Sequence, residues 1–214
     1  MTGVLTQTDA VGNGMAVDKT VGDSRRQVDH GASRCDAARV ENRFMRIETT
    51  RLILRPPALT DIPDLFGFLG DAKAMRYTHA DASPRACRRR IAVHEWRRRR
   101  DGYAPWAIVT KATGQLIGWG GLYQDPFDPG WGVEVGYFFH PSAWGRGYAS
   151  ELAAACTEVA DDVLKLPKIS AFAHADNLGS RRVLEKTGFE AVRIVPEMER
   201  LLYRRNRGGL RSVA

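Results

Sequence analysis

The sequence predicts a single α/β domain, because strand-like and helix-like segments alternate along a chain of suitable length. The chain has 214 residues, which is enough for one domain with a hydrophobic core, with or without a tail. From residue 45 onward, hydrophobic periodicity gives the order β-α-α-β-β-β-α-β-α-β-β. The composition, with 43% apolar and 27% charged residues, is ordinary for a globular protein.

Periodicity and boundary residues define each predicted element. The predicted strands cover residues 51–56, 105–110, 115–123, 132–140 and 168–174, and the segments EAVRIV and ERLLYRR form a last antiparallel pair. The predicted helices cover residues 60–69, 82–100 and 147–164, followed by a short helix that Asn177 begins and Gly188 ends. Alternation in the strand at 132–140 separates Val133, Val135, Tyr137 and Phe139 from Glu134, Gly136, Phe138 and His140.

Residues 1–44 differ in composition from the rest of the chain. They are rich in Gly, Asp, Ser and Arg and show no sustained period of 2 or 3.6 residues. A segment of this kind buries too little apolar surface to offset the entropy lost on ordering it. We therefore expect a disordered or dispensable tail at 1–44, a domain at 45–207 for which Met45 is a natural start, and a flexible end at 208–214.

Cysteine content and hydropathy exclude several classes of protein. Cys35, Cys87 and Cys156 are widely separated and belong to no Cys/His cluster, so we expect neither a disulfide framework nor a zinc site. No apolar run reaches the roughly 18 residues that a membrane helix needs. The chain does not open with the basic and apolar layout of a signal peptide. These features predict a cytoplasmic protein that binds neither a metal nor a membrane.

The net charge of +7 has its densest source in the stretch RACRRRIAVHEWRRRR, residues 85–100. Such a stretch is either the solvated face of a helix or a docking surface for an anionic partner. Ribosomal RNA, an acidic peptide and the phosphates of a cofactor are the partners to consider. The sequence alone leaves both interpretations open.

The stretch HPSAWGRGYASELAAA places Gly145, Arg146 and Gly147 where a strand turns into a helix. The first N–H groups of a helix have no internal partner, and the helix dipole adds partial positive charge there. Two glycines would let a phosphate approach the backbone, and Arg146 adds a full charge. An ordinary tight turn is the alternative. Neither a GxGxxG dinucleotide motif nor a Walker motif occurs in the chain.

Three motifs in order give the chain a family resemblance. ETTRLILRP is followed by VEVGYFFHPSAWGRGYASELAAA and then by NLGSRRVLEKTGF. Together they resemble the RimJ/RimL-type branch of the GNAT superfamily of N-acetyltransferases, over about residues 46–205. The resemblance implies a central mixed, mostly antiparallel sheet flanked by helices, with acetyl-CoA as co-substrate and no metal.

The resemblance also assigns a cofactor-binding set. It implies that the pyrophosphate lies on the turn formed by Trp144, Gly145, Arg146, Gly147, Tyr148 and Ala149. The pantetheine arm would run beside the strand at Phe138 and Phe139, whose backbone groups would bind its amides. Asn177 matches a family asparagine that contacts the cofactor, and a helix N-cap is its alternative and compatible role.

Two side chains are candidates for proton transfer. Glu134 would act as the base, directly or through water, because an alkylammonium is mostly protonated at neutral pH. A solvated strand carboxylate or an ion pair with arginine is the alternative for Glu134. Many relatives place a tyrosine acid where this chain has Leu184, so we expect Ser180 to protonate the leaving thiolate. A serine bonded to a helix carbonyl is its alternative, and coenzyme A can also leave without an acid.

The predicted activity is acetyl transfer to a primary amine by direct attack, without an acyl-enzyme. The amine would be a protein N-terminus, such as that of a ribosomal protein, or a small molecule. Trp106, Trp119 and Trp131 would line the acceptor cleft or else pack in the core. The alternatives are an RNA-binding module that uses the arginine-rich helix and a non-catalytic acyl-CoA sensor. No DNA partner is expected, and the sequence allows a monomer or a homodimer.

Overall fold

The computed structural model describes residues 46–208, so the expectations for residues 1–44 and 209–214 lie outside the described residues. Within that range, the predicted order of elements is confirmed, with one additional short strand at its start. The strands are β1 (Ile47–Glu48), β2 (Leu52–Arg55), β3 (Trp106–Thr110), β4 (Leu116–Tyr123), β5 (Glu134–Phe139), β6 (Lys168–His174), β7 (Glu190–Val195) and β8 (Arg200–Asn206). The helices are α1 (Ile62–Leu69), α2 (Pro84–Asp101), α3 (Tyr148–Glu158) and α4 (Leu178–Lys186).

All eight strands form one sheet in the order β1-β2-β3-β4-β5-β6-β8-β7. Neighbouring strands are antiparallel except for β5 and β6, which run parallel. The mixed, mostly antiparallel sheet that the family resemblance implied is therefore confirmed.

The parallel strands β5 and β6 are joined at one end only. Glu134 opposite Ser170 is the one residue pair that they form within residues 46–208. The Ser170 N–H donates to the Val133 carbonyl over 2.9 Å at this point. Beyond it the two strands diverge, and the sheet opens into a gap.

Both faces of the sheet are covered by helices. On one face, α3 packs its apolar side against β-strand residues in the larger core cluster, which includes Leu152, Cys156, Val135 and Phe139. On the other face, α1 and α2 form a second cluster with Trp119, against which Phe138 packs. The two faces predicted for β5 are confirmed, and each is buried against a different layer.

The ends of three helices can be compared with the predicted boundaries. Helix α1 begins at Ile62, with Pro63 in its first turn. Helix α3 stops at Glu158 and continues as a π-helical turn over Val159–Val163. Helix α4 has Lys186 as its last residue, and Gly188 closes it as predicted. The φ of 83° at Gly188 lets the Phe189 N–H donate to the Leu184 carbonyl over 3.0 Å.

Cys156 is fully buried in the core on the apolar side of α3. Burial raises the pKa of its thiol, which keeps the sulfur protonated and unreactive. No helix within residues 46–208 combines the length and the apolar character of a membrane span.

Candidate active site

The turn before α3 has the backbone conformation that its glycines predict. Gly145 and Gly147 have φ values of 72° and 77°, in the left-handed region that side chains disfavour. Gly147 is the N-cap of α3, and the first hydrogen bond inside the helix runs from Glu151 N–H to the Gly147 carbonyl. The amides that precede Glu151 in the helix are those that an α-helix leaves without internal partners. The turn therefore presents N–H groups and the positive end of a helix dipole.

Ion pairs and a tryptophan hold this turn in place. The Glu151 carboxylate accepts hydrogen bonds from both the backbone N–H and the guanidinium of Arg51, each over 2.7 Å. Arg51 in turn donates to the Arg146 carbonyl over 2.9 Å. On the other side, the Trp144 indole N–H donates to the Phe139 carbonyl over 3.0 Å. The guanidinium groups of Arg51 and Arg146 both lie over the ring of Tyr148, so two positive charges flank the turn.

The gap between β5 and β6 is a cleft of about 100 Å3. It brings together four of the predicted site residues: Glu134, Phe138, Asn177 and Ser180. The other predicted residues do not line this cleft. The residues from Trp144 to Ala149 form the turn just described, and Phe139 is buried between the turn and the core. The structure therefore divides the predicted site into a cleft and the turn that precedes α3.

Strand alternation decides which backbone groups of β5 face the cleft. The Val133 carbonyl points toward β6, so the backbone N–H groups of Tyr137 and Phe139 point to the same side. The Phe138 carbonyl points the opposite way and lies against Gly118 of β4. The groups that could bind an extended ligand therefore belong to Tyr137 and Phe139, and Phe138 contributes to the cleft lining only.

Glu134 is not a solvated strand carboxylate, since only 4% of its surface is exposed. Within residues 46–208 its carboxylate forms neither an ion pair nor a side-chain hydrogen bond, so the arginine-pair interpretation is also wrong. Burial raises the pKa of Glu134 to about 8, and the nearby carboxylates of Asp125 and Asp128 add to the rise while Arg200 opposes it. A carboxyl that titrates near neutrality can exchange a proton with an amine.

Ser180 has a partner that the sequence analysis missed. The Tyr137 hydroxyl lies 3.0 Å from the Ser180 hydroxyl and 3.3 Å from the Ser180 carbonyl. Burial raises the pKa of Tyr137, so this phenol stays protonated. Asn177 accepts a hydrogen bond from the Ser180 N–H over 3.1 Å, which confirms its N-cap role. Leu184, at the position where many relatives have a tyrosine, also lines the cleft. The tyrosine hydroxyl at this end of the cleft belongs instead to Tyr137 of β5.

Glu134 and the hydroxyl pair approach the cleft from opposite faces of the sheet. Tyr137 packs with the α3 core cluster, whereas Glu134 alternates to the face that α1 and α2 cover. Tyr123 is directly opposite Glu134 on β4 and lies against Gly136, where a β-carbon would clash with the tyrosine ring. A proton acceptor and a proton donor thus flank the gap between two separated strands.

Of the three tryptophans considered for the acceptor cleft, Trp131 alone lines it. Its ring meets Phe172 edge-on at 5.2 Å between centroids. Trp106 and Trp119 are buried in the two core clusters, as their alternative interpretation predicted.

The arginine-rich helix α2 lies outside the cleft lining. Half of its arginines between residues 85 and 100 form ion pairs with acidic neighbours, namely Arg90, Arg97, Arg98 and Arg100. Arg98 is 6% exposed and also donates to the Pro105 carbonyl over 2.7 Å. Much of this charge therefore stabilises the fold. Within residues 46–208, no group of three or more His, Cys, Asp or Glu side chains is placed to hold a metal ion.

Comparisons with known proteins agree with this geometry. A profile of the acetyltransferase (GNAT) domain matches residues 51–190. The Bacillus subtilis protein YkkB is 30% identical over 148 residues, which are 69% of this chain and 86% of YkkB. An acetyltransferase from Agrobacterium tumefaciens superposes with a TM-score of 0.65 at 26% identity, over 76% of this chain and 94% of its own.

A likeness of fold extends to RimL, a ribosomal-protein acetyltransferase solved in complex with coenzyme A. It superposes with a TM-score of 0.62 at 20% identity, over 77% of this chain and 99% of its own. The match of the domain profile to well over half of the chain shows the family. The chain therefore belongs to the GNAT family of N-acetyltransferases.

Proposed function

We propose that the protein transfers an acetyl group from acetyl-CoA to a primary amine by direct attack of the amine nitrogen. One observation carries this proposal: a buried carboxylate without an ion-pair partner, Glu134, lines a cleft between two diverging strands beside an anion-binding turn. Holding two substrates together in such a cleft supplies most of the acceleration in a bimolecular transfer.

The residues present suit acetyl-CoA as a substrate. The diphosphate would lie on the turn from Trp144 to Ala149, where helix N–H groups and Arg146 complement its charge. The pantetheine amides would pair with the cleft-facing backbone of Tyr137 and Phe139, in place of the strand that has diverged. Asn177 would contact the same arm from the start of α4. The fold likeness to RimL, which was solved with coenzyme A, supports this placement.

Proton transfer follows from the positions of the two polar groups. Glu134 would accept a proton from the ammonium group, directly or through one water, and leave a neutral amine. The amine nitrogen then forms a bond to the acetyl carbon, and the bond from that carbon to sulfur breaks. The Phe139 N–H would stabilise the charge that develops on the carbonyl oxygen. The new amide nitrogen must then release its second proton, while the departing thiolate must gain one. The Ser180 hydroxyl would protonate the thiolate and recover the proton that the nitrogen releases, and Tyr137 supports Ser180 with its own hydroxyl.

The acceptor would be a protein N-terminus or a small amine. RimL acts on a ribosomal protein, and the shared fold favours a related chemistry here. Because the arginine-rich helix does not line the cleft, it offers no direct reason for choosing an anionic acceptor.

Thiol release during incubation with acetyl-CoA and a panel of amines and N-terminal peptides tests the proposal. We expect amine-dependent thiol release above the rate of hydrolysis, and a large loss in Glu134→Gln while calorimetry still detects coenzyme A binding. Binding without amine-dependent release would indicate an acyl-CoA sensor instead. Folded protein that gives no heat with coenzyme A would refute the proposed use of the turn.

A further inference from the structure

We infer that the acceptor is an amine with a second positive charge close to the reacting nitrogen, and that Asp128 and Asp125 recognise this charge. The inference rests on the proposed function, since it names the substrate class for the same cleft. An aliphatic diamine and a peptide N-terminus followed by a basic side chain share this chemistry.

The loop between β4 and β5 holds two carboxylates at the cleft in fixed positions. The Asp125 carboxylate accepts hydrogen bonds from the backbone N–H groups of Phe127 and Asp128, over 2.8 and 3.3 Å. The Asp128 carboxylate accepts the Trp131 indole N–H over 2.8 Å. Within residues 46–208 neither carboxylate forms an ion pair with lysine, arginine or histidine. Both side chains are therefore oriented by neutral donors and keep their negative charge available for a ligand.

Glu134 supplies an independent indication of a cationic ligand. Its carboxylate is in the same cleft, is almost fully buried, and has no hydrogen-bond donor among residues 46–208. A mostly buried carboxylate without a donor is costly in its ionised form, because it has given up much of its hydration and gained no hydrogen bond in return. An ammonium group in the cleft would provide the missing donor and the opposite charge.

The charge balance of the cleft lining points the same way. Three acidic side chains line it, those of Asp125, Asp128 and Glu134, with one guanidinium, that of Arg200. Because the pKa of Glu134 is raised to about 8, the two loop carboxylates supply the negative charge at neutral pH. Trp131 and Tyr123 add aromatic surface beside the carboxylates, and aromatic faces attract cations. Two further guanidinium groups lie over aromatic rings of the lining, that of Arg76 over Tyr77 at 4.7 Å and that of Arg193 over Trp131 at 5.6 Å. Within residues 46–208 neither forms an ion pair with Asp125 or Asp128, so the loop carboxylates keep their charge for a dication.

The positions of the carboxylates assign separate tasks to the two charges of the acceptor. Glu134 lies on β5, where the strands separate, and is thus placed to receive the reacting nitrogen. Asp125 and Asp128 lie on the preceding loop and line the same cleft, where Asp125 is half-buried and Asp128 is exposed. The second ammonium group of the acceptor would keep its proton and stay beside the loop carboxylates while Glu134 deprotonates the reacting nitrogen. Discrimination would therefore appear mainly in kcat/KM.

Competition between matched amines tests the inference. We expect kcat/KM to be about tenfold higher for diaminobutane than for butylamine, or for a peptide with lysine rather than glutamate as its second residue. The two arms separate a small-molecule source from a peptide source. Equal kcat/KM values within both pairs would overturn the inference and leave amine acetylation itself intact.

Variants connect the preference to the named residues. Asp128→Asn keeps an oxygen for the Trp131 N–H and removes the charge, so the ratio of kcat/KM for diaminobutane to that for butylamine should fall severalfold. Asp64→Asn removes an exposed charge in α1 and serves as the matched control. A preference that persists in the double variant Asp125→Asn/Asp128→Asn would also overturn the inference. A wild-type protein that does not bind coenzyme A would instead contradict the proposed function.

Discussion

At the residue scale, Glu134 shows how one side chain can be costly to the fold and useful to the chemistry. It occupies a position where the two faces of the sheet are both covered and the strands begin to separate. Burial is the largest cause of its raised pKa, and the carboxylates of Asp125 and Asp128 act in the same direction. The same features that destabilise its ionised form make it a base near neutral pH.

The raised pKa of Glu134 predicts a pH-dependent gain in stability for Glu134→Gln. Between the ordinary value of 4.5 and the folded value of about 8, the folded state keeps a proton that the unfolded state has lost. Stability of the wild-type protein therefore falls as pH rises through this window. Urea unfolding should show the variant to be more stable above about pH 8, on the order of a few kcal/mol, and nearly equal to the wild type below about pH 4.5. Identical pH profiles for the two proteins would contradict the raised pKa.

The hydroxyl pair of Tyr137 and Ser180 gives a prediction about the leaving group. Tyr137→Phe should lower kcat by roughly tenfold to a hundredfold and leave coenzyme A affinity unchanged, because the backbone of β5 is retained. Ser180→Ala should produce a similar loss, and the double variant little more, since the two hydroxyls act as one unit.

Tyr203→Phe is the matched control for the loss of a phenol. The Tyr203 hydroxyl contacts Arg181 and Glu185 and lies outside the cleft lining. This control should keep full kcat. Full activity in both Tyr137→Phe and Ser180→Ala would show that coenzyme A leaves as a thiolate without an acid from this pair.

At the scale of elements, both the backbone conformation and the charge of the turn before α3 should control coenzyme A binding. A β-carbon at Gly145 would meet no atom within 4 Å, so the cost of a side chain there comes from its φ of 72° and from what it does to a ligand. Gly145→Glu should weaken coenzyme A binding by at least about tenfold in calorimetry, because it places a carboxylate beside the phosphates.

Gly114→Glu controls for backbone strain in that experiment. Gly114 lies in the hairpin turn between β3 and β4, with a φ of 67° and no atom within 4 Å of an added β-carbon. Both variants should lose similar stability in thermal unfolding, but only Gly145→Glu should lose affinity. Unchanged affinity in Gly145→Glu would mean that the phosphates bind elsewhere.

Local patterns predicted the elements and the turn, because they depend on periodicity and on the special conformations of glycine and proline. The cleft depends on contacts between distant parts of the chain, which no local pattern records. Strand alternation placed Tyr137 on the same face as Val135 and Phe139, but its hydroxyl partner Ser180 lies 43 residues away. The burial of Glu134 also depends on tertiary contacts, because it lines a cleft with residues from the β4–β5 loop, β6 and α4 that strand alternation alone does not bring together.

At the scale of the whole molecule, the cleft interrupts the hydrogen bonding of the sheet. Strands β1 to β5 and strands β6 to β8 are joined by one residue pair between β5 and β6. Helix α3 compensates, because it contacts β4, β5 and α4 on both sides of the gap. Its π-helical extension also carries Asp161, whose carboxylate receives two hydrogen bonds from Arg205 of β8, over 2.9 and 2.7 Å.

This buried ion pair predicts the last stability effect. Asp161 and Arg205 are 6% and 5% exposed, so Asp161→Asn removes one charge from a buried, doubly hydrogen-bonded ion pair. The free energy of unfolding should fall by about 3–5 kcal/mol in urea denaturation. Glu48→Gln removes an exposed partner of Arg46 and Lys111 and should change stability little, because solvent screens that contact. Equal effects of the two substitutions would mean that α3 and β8 are held together by apolar packing alone, and that the cleft tolerates its missing hydrogen bonds without this pair.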